Sequence, residues 1–263
     1  MRNRRFLIAG TAMILSIGML YAGKKHETEN QDWVGKPYTK WDEKQAAGLF
    51  NNSAWAQVKD FRGQVQGMHG TVSDAGGPGT SGAITGTGGG TAGVDVPEFS
   101  FTVRLFSAQP IREAYVRMLQ LMNHYDGLPA DRQHAFDQKT GGYLNQDVSQ
   151  RVVLLLSYKT NDANAKRDMD QWFNTQTTET LNQNAYLFSP IAGQLPLVKY
   201  FPPSQGGGLG AQFIFPRLFK GEPILQPGSG KLRFQLSYQP QINQTMYIDF
   251  DPKDMMYKDQ LAY

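Results

Sequence analysis

RVVLLLSYK, residues 151–159, runs from Val152 to Leu156 without a polar interruption. A strand with one wet face alternates polar and apolar side chains, so an unbroken apolar run of strand length needs cover on both faces. It predicts a central strand. Upstream, EFSFTVRLF (98–106) is rich in Phe, Val and Thr and predicts a second strand. Ser107-Ala-Gln-Pro110 then opens a helix with proline in its first turn. Ile111, Tyr115, Met118 and Met122 recur at helical spacing, which predicts that this stripe packs onto the sheet holding 152–157, with Arg117 on its flank. Asp126-Gly127-Leu128-Pro129 ends the helix, and the polar stretch 130–150 reads as a long loop. A second helix is expected over 163–183, with Met169, Trp172 and Phe173 on one side. AYLFSPIAG, PLVKYFPP, AQFIFPRLF, KLRFQLSY and TMYIDF follow as short β segments parted by Pro- and Gly-rich turns. The expected fold class is α+β, a mostly antiparallel sheet or sandwich with two packed helices and a flexible N-terminal region.

Four segments are expected along the chain: a leader (1–22), an N-terminal segment (23–69), a Gly-rich linker (70–93) and an α+β domain (94–263). Residues 1–22 begin with Arg2, Arg4 and Arg5, continue as an apolar run from Phe6, and end in Leu20-Tyr21-Ala22. Basic, then apolar, then small is the order of a secretory signal, with the mature chain starting at Gly23. The run 6–22 is roughly 25 Å long as a helix, somewhat short of a bilayer core of about 30 Å, and an uncleaved anchor is the other reading. The expected location is thus the periplasm or the exterior, with membrane contact only through this segment if it stays uncleaved. In 41–56, Asp42 caps a short helix bearing Ala46, Leu49 and Phe50, and Trp41 and Trp55 read as anchors against the main body. Residues 70–93 hold ten glycines in 24 positions and have little apolar area to offset their ordering entropy, so disorder is expected there.

Gly88-x-Gly90-x-x-Gly93 has the spacing of a dinucleotide fingerprint, but no apolar strand precedes it and a strand, not a helix, follows. PGSGK (227–231) lacks the remaining Walker positions, since Leu225 and Leu232 stand where Gly and Ser/Thr are needed. Neither holds phosphate, and no cofactor is expected. The chain has 26 Lys+Arg against 23 Asp+Glu, and the excess is Arg2, Arg4 and Arg5. Past the leader no global field remains to attract nucleic acid, which is not an expected partner. The absence of cysteine excludes thiol catalysis, Cys-ligated metal and an acylated-Cys anchor.

Chemistry is sparse. His26, His69, His124 and His134 show no ligand spacing, and no metal is expected. Asp249, Asp251 and Asp254 are spaced as three carboxylates around calcium would be, but they lack the glycine and glutamate of an EF-hand loop, and Asp249 and Asp251 read as a strand's solvent face. Ser107 has no nucleophile-elbow setting and reads as an N-cap. Arg112-Glu113, in the first turn after Pro110, stands out as a charged pair at a helix start. Arg112, Glu113, Trp41 and Trp55 are the candidate partner-binding residues.

WDEKQAAGLFNNSAWA (41–56), VRLFSAQPIREA (103–114), FIFPR (213–217) and DMMYK (254–258) together resemble an uncharacterised family of exported bacterial proteins. Its members carry a W-x-x-x-x-A-x-x-L-x-N-S-x-W-A helix and a V-R-x-x-S-A-x-P-x-R-E-A junction. The resemblance implies export and a shared domain, and it brings no catalytic residue. The functional expectation is an exported cell-envelope protein that binds or scaffolds a partner, an envelope protein or a glycan, without catalysis. The alternatives are a glycan or peptide hydrolase using scattered carboxylates and a small-ligand carrier with an aromatic cavity.

Overall fold

A computed structural model describes residues 33–62, 97–238 and 244–263. The expected leader, the whole Gly-rich linker (70–93), His26 and His69 lie outside the described residues. Asp32–Tyr263 forms one compact unit, so the folded part takes in residues upstream of 94.

The chain starts with α1 (Glu43–Asn51), β1 (Ala56–Arg62), β2 (Glu98–Leu105), α2 (Gln109–Met122), α3 (Ala130–Leu144) and β3 (Arg151–Thr160). It continues with α4 (Ala163–Thr175), α5 (Thr178–Leu181), β4 (Ala185–Ser189), β5 (Gly193–Pro196), β6 (Lys199–Phe201) and β7 (Ala211–Pro216). The last elements are two short strands, β8 (Leu218–Phe219) and β9 (Glu222–Pro223), then β10 (Leu232–Tyr238), β11 (Gln244–Phe250), β12 (Met256–Tyr257) and β13 (Gln260–Leu261). Two antiparallel sheets dominate: a five-stranded sheet in the order β1-β2-β3-β7-β6 and a four-stranded sheet in the order β11-β10-β4-β5. The fold is α+β.

β3 is the central strand of the larger sheet, and Leu154 and Leu155 are both fully buried although they point to opposite faces. One face joins Leu154 to its cross-strand partners Leu105 and Phe213. There Phe213 and Phe215 meet Phe234 of β10 edge-on, at ring-centroid distances of 5.2 and 6.1 Å, which places the smaller sheet over this face. α4 joins the two sheets: Phe173 stacks on Tyr158 of β3 at 4.6 Å and on Tyr238 of β10 at 5.8 Å. On the opposite face Leu155 lies beside Arg104, whose guanidinium sits over the Phe50 ring of α1 at 4.4 Å. Among the described residues no carboxylate pairs with Arg104. The guanidinium donates to Phe50 O, Ser157 Oγ and Asn51 Oδ1, each at 2.7 Å, and burial pulls its pKa down to about 10.

α1 starts as the sequence suggests: Asp42 and Gln45 form a reciprocal capping box. α2 begins at Gln109, but its buried face differs from the expected stripe. Ile111 is fully buried, whereas Tyr115 and Met118 are only partly covered and Met122 is 52% exposed. Ala114, Val116, Arg117 and Gln120 take the interior instead, because α2 is covered by α1 on one side and α3 on another. Arg117 is 5% exposed and donates to Trp41 O at 2.8 Å, to Gln120 Oε1 and to Asp126. The expected loop 130–150 contains α3, a mostly exposed helix whose only buried residue is Thr140. A helix with so little apolar face carries almost no periodic signal. Likewise 163–183 is two helices, broken where Thr177 caps α5. α1 ends at Asn51, with Asn52 as its C-cap. A Ser53–Ala56 bridge leads into β1, an edge strand paired with β2.

Candidate functional site

The four residues singled out by sequence come together, in the interior. Trp33 links the two tryptophans, meeting Trp41 edge-on at 5.8 Å and Trp55 at 6.2 Å, and it stacks on Tyr257 at 6.1 Å. Tyr257 in turn donates its hydroxyl to Glu113 at 2.5 Å, while Gln109 Nε2 and Lys258 Nζ donate to the other carboxylate oxygen. Burial, then that bond and the nearby carboxylate, push the Tyr257 hydroxyl above its usual pKa. Arg112 bonds Ser107 O at 2.6 Å, and its pKa is lowered by burial and by neighbouring Arg217. Trp41 is 0%, Trp55 2%, Arg112 7% and Glu113 5% exposed. The cluster is a clamp on the last residues of the chain. Trp55 Nε1 donates to Ala262 O at 2.7 Å, and Arg217 donates to the Tyr263 main-chain oxygen while lying 3.8 Å over its ring. So deeply covered, these side chains offer a partner almost no surface.

A more open surface lies elsewhere, on the outer face of the smaller sheet. β4, β10 and β11 alternate strictly, with Leu187, Phe234, Leu236, Met246 and Ile248 inward. Register then arranges the outward residues in rows across the strands. One row is Asp249–Arg233–Phe188–Gln194 and the next is Tyr247–Gln235–Tyr186–Pro196. Arg233 and Asp249 form a bidentate pair, Nε–Oδ1 at 2.6 Å and Nη2–Oδ2 at 2.9 Å. This bond holds the Asp249 carboxyl below the usual carboxylate range. The Arg233 guanidinium also lies 5.7 Å from the centroid of Tyr247, whose side of the sheet is open: Tyr247 is 51% exposed. Phe188, Pro190, Lys231, Arg233, Tyr247 and Asp249 line a shallow depression of about 280 Å³. It is a floor rather than a pocket, being below the roughly 300–1,000 Å³ of an enclosing ligand site.

No family model matches this chain, and no curated protein matches it. One solved structure is similar, a novel protein of unknown function from Burkholderia pseudomallei K96243. The two share 9% identity at a TM-score of 0.40, over 57% of this chain and 75% of the other.

The remaining sequence candidates resolve into structural roles. Asp249 is held by Arg233, and Asp251 lies 3.8 Å from Lys231, so these carboxylates are already engaged with cations. Among the described residues no three His, Cys, Asp or Glu side chains gather as a metal site would require. Ser107 is not the N-cap, a position taken by Ala108 without a side-chain cap; its Oγ instead accepts from Val153 N at 3.2 Å and ties the start of α2 to the central strand. His124 follows α2 in a left-handed conformation, φ 50°, and His134 pairs with Gln138 on exposed α3. A second depression, lined by Phe106, Lys139, Tyr143, Leu209 and Gln212, opens between α3 and β7. Among the described residues no helix is long and apolar enough to cross a membrane.

The sequence does contain a signal for the outer face. In AYLFS, LRFQLSY and TMYIDF the outward positions of an alternating pattern hold Tyr186, Phe188 and Tyr247. Aromatic side chains at solvent positions of a strand are a departure from ordinary patterning. Without the pairing of β4 with β10 and β10 with β11 they remain three isolated rings.

Proposed function

We propose that this protein is an exported binding module of the cell envelope, acting without catalysis through the outer face of the smaller sheet. One observation carries the reading. Tyr186, Phe188 and Tyr247 share that face with Arg233, Gln235 and Asp249. Flat rings beside planar, bidentate polar groups supply stacking area and directional hydrogen bonds at little conformational cost. The face is open and rests on a rigid two-sheet core, so the groups are held in place before a partner arrives. The basic and apolar order of residues 1–22 supports export, as does the resemblance to exported proteins.

A benzophenone side chain at position 235, expressed in cells, tests the binding face, because it inserts into C–H bonds of protein and glycan alike. Ultraviolet light should produce adducts with an envelope component from position 235 but not from position 138 on α3. Equal yields from both positions, or none from 235, refute the assignment. Export is tested on the same cells. The protein should fractionate with the envelope, and an intact chain in the soluble cytoplasmic pool would defeat that part.

A further inference from the structure

We propose that the outer face of the smaller sheet binds an uncharged, β-1,4-linked glycan chain that lies across the strands. This rests on the reading of that face as the binding surface and names its ligand. Three features of the face point to such a chain.

The first is ring spacing. Tyr247 of β11 and Tyr186 of β4 belong to one cross-strand row, separated by Gln235 of β10. Neighbouring strands are about 4.8 Å apart, so the two rings rise from backbones roughly 10 Å apart. That distance is close to one disaccharide repeat of an extended chain. A β-1,4-linked chain is a flat ribbon with twofold alternation, and every second sugar turns the same face downward. Tyr247 and Tyr186 are placed to stack under such sugars, with Gln235 beneath the one between. Pyranose C–H bonds meet the electron-rich face of each ring.

The second is charge. Among the described residues, Arg233 and Lys231 of this face each lie within 4 Å of a carboxylate, Asp249 and Asp251. An acidic polysaccharide would have to displace these carboxylates, whereas hydroxyl groups can bond to the pairs as they stand. Arg233 engages Asp249 through Nε and Nη2, so Nη1 and the further carboxylate lone pairs are not used by this pair and can bond to ligand hydroxyl groups. Neutral and rich in hydroxyl groups is the chemistry that complements such a surface.

The third is shape. The depression is shallow and open, so among the described residues nothing encloses a chain end there. A surface of this kind takes the interior of a polymer.

The test is calorimetric titration of the full chain with cellohexaose and chitohexaose, with maltohexaose as an α-linked control and hexagalacturonate as an anionic one. Binding of at least one β-1,4 chain is expected, and neither control should match it. Tyr247→Ala and Tyr186→Ala should each weaken binding about tenfold, while Tyr247→Trp retains it. Tyr247 is half exposed, so its variant folds, and a circular dichroism spectrum identical to wild type checks this. Equal affinity for maltohexaose overturns the spacing argument, and tighter binding of hexagalacturonate overturns the charge argument. Undiminished binding by both alanine variants overturns the placement. If no hexasaccharide binds but the benzophenone at position 235 captures a protein, the glycan assignment fails and the binding face stands. If neither occurs, both fail.

Discussion

Replacing Arg117 with methionine keeps most of the aliphatic length of the side chain and removes a guanidinium that is 5% exposed. The Trp41 carbonyl, under a residue with no exposed surface, then loses its donor, which costs about 1–3 kcal/mol. Gln120 is 1% exposed and loses a partner at 3.2 Å, for about 1 kcal/mol more. The bridge to Asp126 adds little, since that carboxylate is 67% exposed. Relief of the buried cation's desolvation offsets part of the loss, leaving a net destabilisation of about 2–3 kcal/mol. For a domain of this size that lowers the midpoint by about 4–12 °C. Met118→Asp, on the partly covered side of α2, should cost only about 1 kcal/mol. Urea unfolding followed by circular dichroism gives both values, with m unchanged as the condition for comparing them. If Arg117→Met lies within 0.5 kcal/mol of wild type, or Met118→Asp is the worse of the two, the assignment of the buried face of α2 is wrong.

Gly210 has φ +90°, and an added Cβ would stand 2.3 Å from Leu156 O, so Gly210→Ala should cost at least about 2–3 kcal/mol. Gly207→Ala, at φ +60° with open space around it, should cost about 1 kcal/mol; equal thermal midpoints would show that the close approach to β3 is absent. Trp55→Phe removes the bond to Ala262 O, and hydrogen exchange over 256–263 should speed up while the core strands stay protected. Unchanged exchange there would mean that the clamp does not hold the end of the chain. Because Arg233 depresses the Asp249 pKa in the folded state, the pair contributes stability above the unfolded carboxylate value of about 3.9. That contribution disappears as pH falls through the lower folded value, so ligand binding by the face should be level from pH 5 to 8. A carbonyl NMR titration of Asp249 with its midpoint at or above 3.9 would contradict this.

The central strand was legible in the sequence because its signal is local: five apolar residues in a row state that both faces are covered wherever the strand lies. The strands 98–105, 185–189, 211–216, 232–238 and 244–250 were legible for the same reason, since alternation and turn residues are written along the chain. α3 was not, because a helix that buries a single residue leaves no apolar period to read. Arg117 reads as a surface residue until Trp41 and Asp126 are brought beside it; a buried guanidinium depends on acceptors that lie 76 and 9 residues away. The division into two sheets was equally invisible, since an alternating strand shows that one face is covered but not which sheet covers it. Arg112, Glu113, Trp41 and Trp55 do meet, as their chemistry suggests, yet whether they face a partner or the end of their own chain depends on how residues 255–263 fold back. The outer face of the smaller sheet is the opposite case. Each of its residues sits in a readable strand, and only the register of three strands sets the rings one row apart, because cross-strand neighbours are determined by hydrogen-bond pairing and not by position along the chain.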